Sequence, residues 1–414
     1  MKTKALAYHK LKSIHFVSAI VLLCGLADAL ISFYIPIQMQ SYLHNLTLFG
    51  FLFGISAFTG ACSDFILGYL SNRMRYITLM GIGMLLSGIV MLMALIPFSI
   101  ILIIWLMIIW GLYYEFVEIG IFSYVSRYHH ADEQSKFFGV IYLFMNMAYV
   151  IGPLVGGYLV LFGDKAVYGV AFVFLLIAFL FIPMIVSIHK KKERPFLTYK
   201  THEEHFNIKK QIKKYKKIWK YASIFFIAAF LYNVWDSFVW TLIPIQSIGN
   251  NAIVSGIITA TFTLPLALII GYGGKIADKQ GRKVTFILGL FVASLFTYIF
   301  GLQTNIILKV ITAGLSSTGF AFAYPAMLGA TAENGQEHEK ILGDMAGVQR
   351  IFVNAGFITG PILGGFIGNI VGIQRAFSVL GAAMLICFIP IVLVMVHFHV
   401  TGRVHKFVLA EFEM

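Results

Sequence analysis

The chain contains the same sequence pattern twice, with a constant spacing of 208 residues. Asp28 precedes an Ile-Pro-Ile-Gln segment at residues 35–38, and Asp236 precedes the same four residues at 243–246. Both aspartates lie within long apolar runs, where an ionisable side chain is unfavourable and is usually kept for a function. The repeat therefore predicts two homologous half-structures with an acid at the equivalent position of each.

The composition predicts that both half-structures lie in a lipid bilayer. The chain is 59% hydrophobic and 12% charged, with a mean hydropathy of +0.86, whereas soluble domains are about 25% charged. A helix that crosses a bilayer needs about 20 mostly apolar residues, and no run shows the alternation of a membrane barrel. We predict twelve membrane-spanning helices near residues 15–38, 47–70, 76–97, 100–126, 137–161, 167–188, 221–245, 251–273, 284–302, 305–329, 343–369 and 374–399.

The positive charge is distributed asymmetrically across these predicted spans. Of the 31 Lys and Arg residues, only Lys165, Lys309 and Arg375 fall on or near one side. Because cytoplasmic loops are enriched in Lys and Arg, both termini are predicted to be cytoplasmic in a multi-pass cell-membrane protein. The basic segment at 189–220 is interpreted as a linker beside anionic lipid headgroups, with a surface-lying helix at 208–221, and not as a nucleic-acid-binding element.

The predicted domains follow from the repeat and from this linker. Residues 1–188 form an N-terminal six-helix bundle, residues 189–220 form the cytoplasmic linker, and residues 221–414 form a C-terminal six-helix bundle with a short cytoplasmic tail. The fold class is therefore an all-α membrane protein with two pseudo-symmetric bundles.

The loop between predicted spans 8 and 9 carries a family signature. Residues 274–283 read Gly-Lys-Ile-Ala-Asp-Lys-Gln-Gly-Arg-Lys, which resembles the loop motif of the major facilitator superfamily. The equivalent loop of the first half has Asn72 where that motif has Asp. The resemblance implies the major facilitator fold and a conformational latch formed by Gly68, Arg73, Asp64, Gly274, Asp278, Gly281 and Arg282.

A Gly-Pro-x-x-Gly-Gly element occurs in predicted spans 5 and 11, again 208 residues apart. Small residues allow helices to approach closely, and proline permits a bend. The span-5 copy resembles the antiporter motif of proton-coupled drug exporters, although the Arg that these proteins carry in span 4 is replaced here by Met107. The expected helix-packing residues are Gly152, Pro153, Gly156, Gly157, Gly360, Pro361, Gly364 and Gly365.

Four acids are predicted to lie well inside the membrane: Asp28, Asp236, Glu115 and Glu118. No Lys or Arg is predicted at a comparable depth. A low dielectric favours the protonated form of an unpaired carboxyl group, and a charged one costs roughly 2.5–3.5 kcal/mol at mid-membrane. We therefore expect these acids to bind and release protons, with a protonated structural acid as the open alternative.

Aromatic and amide side chains near these acids are the candidate substrate contacts. Aromatic rings and carboxylates together suit a lipophilic cation. Ordinary packing remains the alternative for each aromatic residue, and helix bridging remains the alternative for the two repeated asparagines. The candidate substrate-binding residues are Tyr34, Tyr114, Tyr232, Asn233, Trp240, Asn146 and Asn354.

The expected function is secondary active transport by alternating access, in which two bundles rock about a central site. We expect proton-coupled export of a small amphipathic or cationic molecule; a symporter or facilitator of a neutral solute is the alternative. The sequence shows no phosphate loop and no catalytic or metal-ligand constellation, so an enzyme, a cofactor and a metal are not expected. The expected partners are the substrate, protons and the lipid bilayer, with no nucleic acid, and the protein is expected to be a monomer.

Overall fold

The computed structural model describes residues 2–71, 74–128, 131–189, 208–248, 251–336 and 339–401. The first half contains α1 (Lys2–Leu43), α2 (Leu46–Ser71), α3 (Tyr76–Ala94), α4 (Ile100–Tyr128), α5 (Ala131–Leu159) and α6 (Asp164–His189). The second half contains α7 (Ile208–Ile245), α8 (Ala252–Gln280), α9 (Arg282–Leu302), α10 (Ile306–Gln336), α11 (Glu339–Val371) and α12 (Ile373–Thr401). A short 3-10 turn at Val160–Phe162 is the only other helix in these ranges.

Each of the twelve α-helices contains a stretch that is long and apolar enough to cross a membrane. The mean hydropathy of these stretches ranges from 1.4 for Ser223–Ile245 to 2.7 for Ile373–Met395. The predicted all-α fold with twelve transmembrane helices is confirmed for the described part of the chain.

Each half has its own apolar core. The larger cluster of the first half includes Phe33 and Tyr168, and that of the second half includes Trp235 and Phe377. We call the side on which α6 ends and α7 begins the linker side, and the opposite membrane face the far side.

The repeated glutamines perform equivalent structural roles at the far side. Gln38 at the end of α1 donates a hydrogen bond to Asp164 Oδ2 at 2.9 Å, and Asp164 begins α6. Gln246, directly after α7, donates to Gln374 Oε1 at 3.1 Å, at the start of α12. The same residue therefore ties the first helix of each half to the last helix of that half.

One predicted element was wrong. Residues 208–221 do not form a separate surface-lying helix, because they are the first turns of the continuous helix α7. The reason is local: no Gly or Pro interrupts the chain from Ile208 until Pro244, so helical hydrogen bonding continues from the basic segment into the span.

Glycines of the repeated Gly-Pro elements lie where the two halves meet at the far side. A Cβ atom on Gly157 of α5 would collide with the Ala252 carbonyl of α8, and one on Gly365 of α11 would collide with the Leu46 carbonyl of α2. The proline carbonyls contribute as well, because Pro153 faces Gly256 and Pro361 faces Gly50. The halves therefore contact each other backbone to backbone through two equivalent helix pairs, α5 with α8 and α11 with α2.

The other glycines of these elements pack inside each half. Gly152 and Gly156 of α5 lie against Ala29 and Phe33 of α1. In the same register, Gly360 lies against Ser237 of α7, and Gly364 lies against Phe238 and Leu242. Each element thus joins its helix to the first helix of its own half and, through its last glycine, to the other half.

Candidate functional site

A cavity lies within the first bundle, between α1, α3, α4, α5 and α6, in the part of the bundle toward the linker side. Its lining is mainly apolar, with side chains such as Val21, Met84, Ile121 and Leu175. The lining side chains that carry polar or ionisable chemistry are Cys24, Asp28, Ser87, Tyr113, Tyr114, Glu118, Tyr142 and Tyr149.

Asp28 is the buried acid of this cavity, with 7% of the residue exposed. Its carboxyl group accepts hydrogen bonds from the hydroxyl groups of Tyr113 and of Tyr149, the latter at 2.6 Å. The apolar lining favours the protonated acid, whereas two hydroxyl donors stabilise the carboxylate. The two opposing effects make Asp28 a chemically reasonable site for reversible proton binding.

Small residues bring α1 and α5 together around this acid. Gly25 lies against Ala148, and Gly152 lies against Ala29. These contacts come just before and just after Asp28 on α1, so α5 approaches closely enough for the Tyr149 hydroxyl to reach the carboxyl group.

Asp28 is linked to the other repeated acid through two aromatic rings. The ring of Tyr149 contacts the indole of Trp240 on α7, with a centroid distance of 5.4 Å. Trp240 lies one helical turn after the half-buried Asp236 on α7. The two acids therefore lie on opposite sides of the boundary between the halves, joined by a Tyr149–Trp240 contact.

A second group of acids surrounds Arg350 of α11. The guanidinium lies 2.9 Å from Asp64 of α2, 3.0 Å from Glu115 of α4 and 3.5 Å from Glu118 of α4. The expectation that the intramembrane acids lack a basic partner was wrong for Glu115 and Glu118. If all three acids are ionised, one guanidinium faces three negative charges, and its partners belong to the other half of the protein.

Asn354 reinforces this connection between the halves. Its side-chain amide donates to Asp64 Oδ2 at 3.1 Å, one helical turn from Arg350. Asn354 therefore bridges two helices, which was the alternative to a substrate contact. Asp64, which was expected to belong to the latch at the loop after α2, instead contacts α11.

The other predicted substrate residues are dispersed. Tyr34 is 6% exposed and donates to Asp164 at the far side, and Asn233 is 3% exposed and donates to the Ala229 carbonyl at 2.6 Å. Neither side chain lines the cavity, because each is held by a partner elsewhere in the protein.

Asn146 is half-buried on α5 without lining the cavity, and Tyr232 packs on Tyr324 in the second half with centroids 4.4 Å apart. Of the predicted set, Tyr114 lines the cavity and Trp240 contacts it through Tyr149.

The signature loop of the second half is held within that half. Arg282 pairs with Asp278 at 3.0 Å and donates to the Gly329 carbonyl of α10 at 2.6 Å. Gly281 has a φ of +102°, which favours glycine at this turn between α8 and α9. Gly274 lies half-buried beside Pro325 of α10.

In the first-half copy, Gly68 lies in α2 and Arg73 lies outside the described residues. The described latch residue that contacts the opposite half is Asp64, through Arg350.

Arg350 and Tyr149 are among the residues of the site that were not identified from the sequence. Arg350 lies inside predicted span 11, and an ionisable residue in a span is a signal that could have found it. Tyr149 lies next to Ala148 and three residues before Gly152, so the small-residue pattern that predicts close packing against α1 also points to it.

Comparison with known proteins gives the family context. A sequence profile of the Major Facilitator Superfamily matches residues 17–249 and 226–412. Over 180 residues the chain is 26% identical to the quinolone resistance protein NorA of Staphylococcus aureus strain MRSA252, an alignment that covers 43% of this chain and 45% of NorA. Multidrug resistance protein 2 of Bacillus subtilis strain 168 is 31% identical over 142 residues, which is 34% of each chain. The aligned segments thus span less than half the length of these relatives.

Solved structures of transporters share the fold. The nucleoside transporter NupG matches 92% of this chain and 98% of its own length, with a TM-score of 0.72 and 13% identity. The human organic anion transporter MFSD10 (TETRAN) matches 91% of this chain and 98% of its own, with a TM-score of 0.63 and 16% identity. At these identities the similarity concerns the fold alone.

Proposed function

Because the chain belongs to the major facilitator superfamily, we propose that it is a secondary active transporter that exports a small amphipathic or cationic molecule in exchange for protons. In this proposal the linker side faces the cytoplasm, since Lys and Arg concentrate there. The partial similarity to two proteins named for drug resistance supports export of a foreign small molecule.

The observation that carries the proposal is the position of Asp28. It lines an apolar, aromatic cavity, and its carboxyl group is held by two tyrosine hydroxyl groups. A carboxyl group in an apolar cavity has a strong reason to take up a proton, and two donors allow it to release that proton again. A cationic substrate in the same cavity would favour the ionised form, so substrate and proton would bind in competition.

The Tyr149–Trp240 contact supports a role for Asp236 as the second titrating acid. Tyr149 donates to Asp28 in one half, and its ring contacts Trp240, one helical turn from Asp236, in the other. When the halves rock, the distance between these rings changes, and with it the surroundings of both acids. Protonation would thereby favour one orientation of the halves and substrate binding the other.

The far-side glycine contacts form the part of the interface that opens and closes as the halves rock. Gly157 and Gly365 allow backbone contact between the halves at the far side, while the cavity lies toward the linker side. In this proposal the arrangement is the one that receives substrate from the cytoplasm, and the far-side contacts separate when the substrate leaves.

The test is transport by the purified full chain in proteoliposomes. The expected result is accumulation of the lipophilic cation tetraphenylphosphonium against its gradient when a pH gradient is imposed, abolished by a protonophore. Transport of a neutral sugar or metabolite without this cation activity would instead support the symporter or facilitator. No solute flux above that of empty liposomes would contradict transport altogether.

A further inference from the structure

Glu118 has neighbours on two sides. Its side chain lines the cavity that contains Asp28, and its Oε2 lies 3.5 Å from the Arg350 guanidinium of the other half. Among the three carboxyl partners of Arg350, Glu118 is the one that lines this cavity.

Glu118 is also the most accessible and most distant of these partners. Its side chain is 37% exposed, compared with 19% for Asp64 and 8% for Glu115. Asp64 and Glu115 contact Arg350 at 2.9 and 3.0 Å. Arg350 would therefore keep its two shorter ion pairs if Glu118 turned to another cation.

Asp28, the other acid in the lining, already accepts two tyrosine hydroxyl groups. Two partly exposed tyrosines line the same cavity as Glu118, namely Tyr114 at 41% and Tyr142 at 43% exposure. Aromatic side chains that share a cavity with a carboxylate are suitable surroundings for an organic cation.

We propose that Glu118 binds the positive charge of a lipophilic organic cation, which replaces the Arg350 guanidinium at this carboxylate. This inference rests on the proposed transport function and identifies which acid recognises substrate charge. The cation removes one of the ion pairs between α4 and α11, so substrate binding weakens a contact between the halves.

The test compares binding of tetraphenylphosphonium with that of triphenylphosphine oxide, a neutral molecule of related shape. Both affinities are measured by calorimetry on the purified full chain. Glu118→Gln should weaken tetraphenylphosphonium binding by about tenfold or more and leave the neutral molecule almost unaffected. Asp164→Asn is the control, since Asp164 neither lines the cavity nor pairs with Arg350; it should leave the selectivity between the two probes unchanged.

A second variant tests whether Arg350 and the cation compete for Glu118, and it should change tetraphenylphosphonium affinity in the opposite direction. Arg350→Gln frees Glu118, so tetraphenylphosphonium should bind more tightly than to the unmodified chain. Unchanged cation affinity in Glu118→Gln, an equal loss for both probes, or weaker cation binding in Arg350→Gln would each overturn the inference. Proton-driven transport by the unmodified chain is measured on the same preparation. If this transport is absent, the proposed function is refuted. If it is present and Glu118→Gln still binds the cation normally, only the role of Glu118 is refuted.

Discussion

The ring of Tyr149 packs edge-on against the indole of Trp240, with centroids 5.4 Å apart and an interplanar angle of 73°. Tyr149 also donates to Asp28, and Trp240 lies one helical turn after Asp236 on α7. One aromatic contact thus joins two repeated acids and two halves of the protein. Any rocking of the halves changes this contact, because α5 and α7 belong to different bundles.

Replacing Tyr149 with Phe separates the two roles of this residue. The ring contact with Trp240 is kept and the hydrogen bond to Asp28 is lost. A hydrogen bond to a charged group contributes about 1.5–3 kcal/mol, so accumulation driven by a pH gradient should fall by about tenfold. Substrate exchange without a pH gradient should continue. Proteoliposome flux measures both, and Tyr158→Phe, on the exposed far end of α5, is the control; unimpaired proton-driven accumulation in Tyr149→Phe would contradict the role.

Gly365→Ala should impair closure of the far side. The added Cβ collides with the backbone carbonyl of Leu46, which cannot move without shifting α2. Overpacking of this kind costs about 1–3 kcal/mol. Gly169→Ala is the matched control, because a Cβ there meets no atom within 4 Å. The expected outcome is a clear loss of transport rate in the first variant and none in the second; equal rates would show that the far-side contact does not limit transport.

The Arg350–Asp64 ion pair should contribute a measurable coupling energy between the halves. A double-mutant cycle with Asp64→Asn and Arg350→Met, read by unfolding in detergent, should give a coupling on the order of 0.5–3 kcal/mol. The same cycle on Asp278 and Arg282 is the comparison, since that pair is more exposed and lies within one half. Its coupling should be below about 1 kcal/mol. A larger coupling for the exposed pair would argue against Arg350 as a connection between the halves.

Asp164→Ala should destabilise the first bundle without removing cation recognition. Tyr34 and Gln38 both donate to this carboxylate, and a donor left without a partner in the bundle costs about 1–3 kcal/mol. The free energy of unfolding should fall accordingly, while tetraphenylphosphonium affinity stays close to that of the unmodified chain. A large loss of affinity in a folded variant would place Tyr34 back among the substrate contacts.

The repeat made much of the fold predictable from the sequence. In duplicated halves, residues at equivalent sequence positions occupy equivalent places in the fold. The constant spacing therefore predicted equivalent places for Gln38 and Gln246 and for Gly157 and Gly365. In both pairs the structure shows matching contacts. Hydrophobic length predicted the twelve spans for the same physical reason, since a helix must match the thickness of the bilayer.

Contacts between the halves were not predictable in the same way. Arg350 and Asp64 are 286 residues apart, and Arg350 lies only two turns inside its predicted span, a position close to the membrane surface. The neighbour of Asn233, which lies within the same half, was also not predictable. The helical face of Asn233 points to α11, where it packs on Gly356, and helical periodicity does not distinguish a neighbouring helix from a cavity.

Proton release on substrate binding tests the central claim, that Asp28 carries the exchanged proton, most directly. Tetraphenylphosphonium is added to the purified chain in weakly buffered detergent with a pH-sensitive dye, and Asp28→Asn is compared with Asp164→Asn, an acid outside the cavity. The unmodified chain and Asp164→Asn should release protons as the cation binds, and Asp28→Asn should bind the cation with little or no release. Proton release by Asp28→Asn equal to that of the unmodified chain would contradict the account.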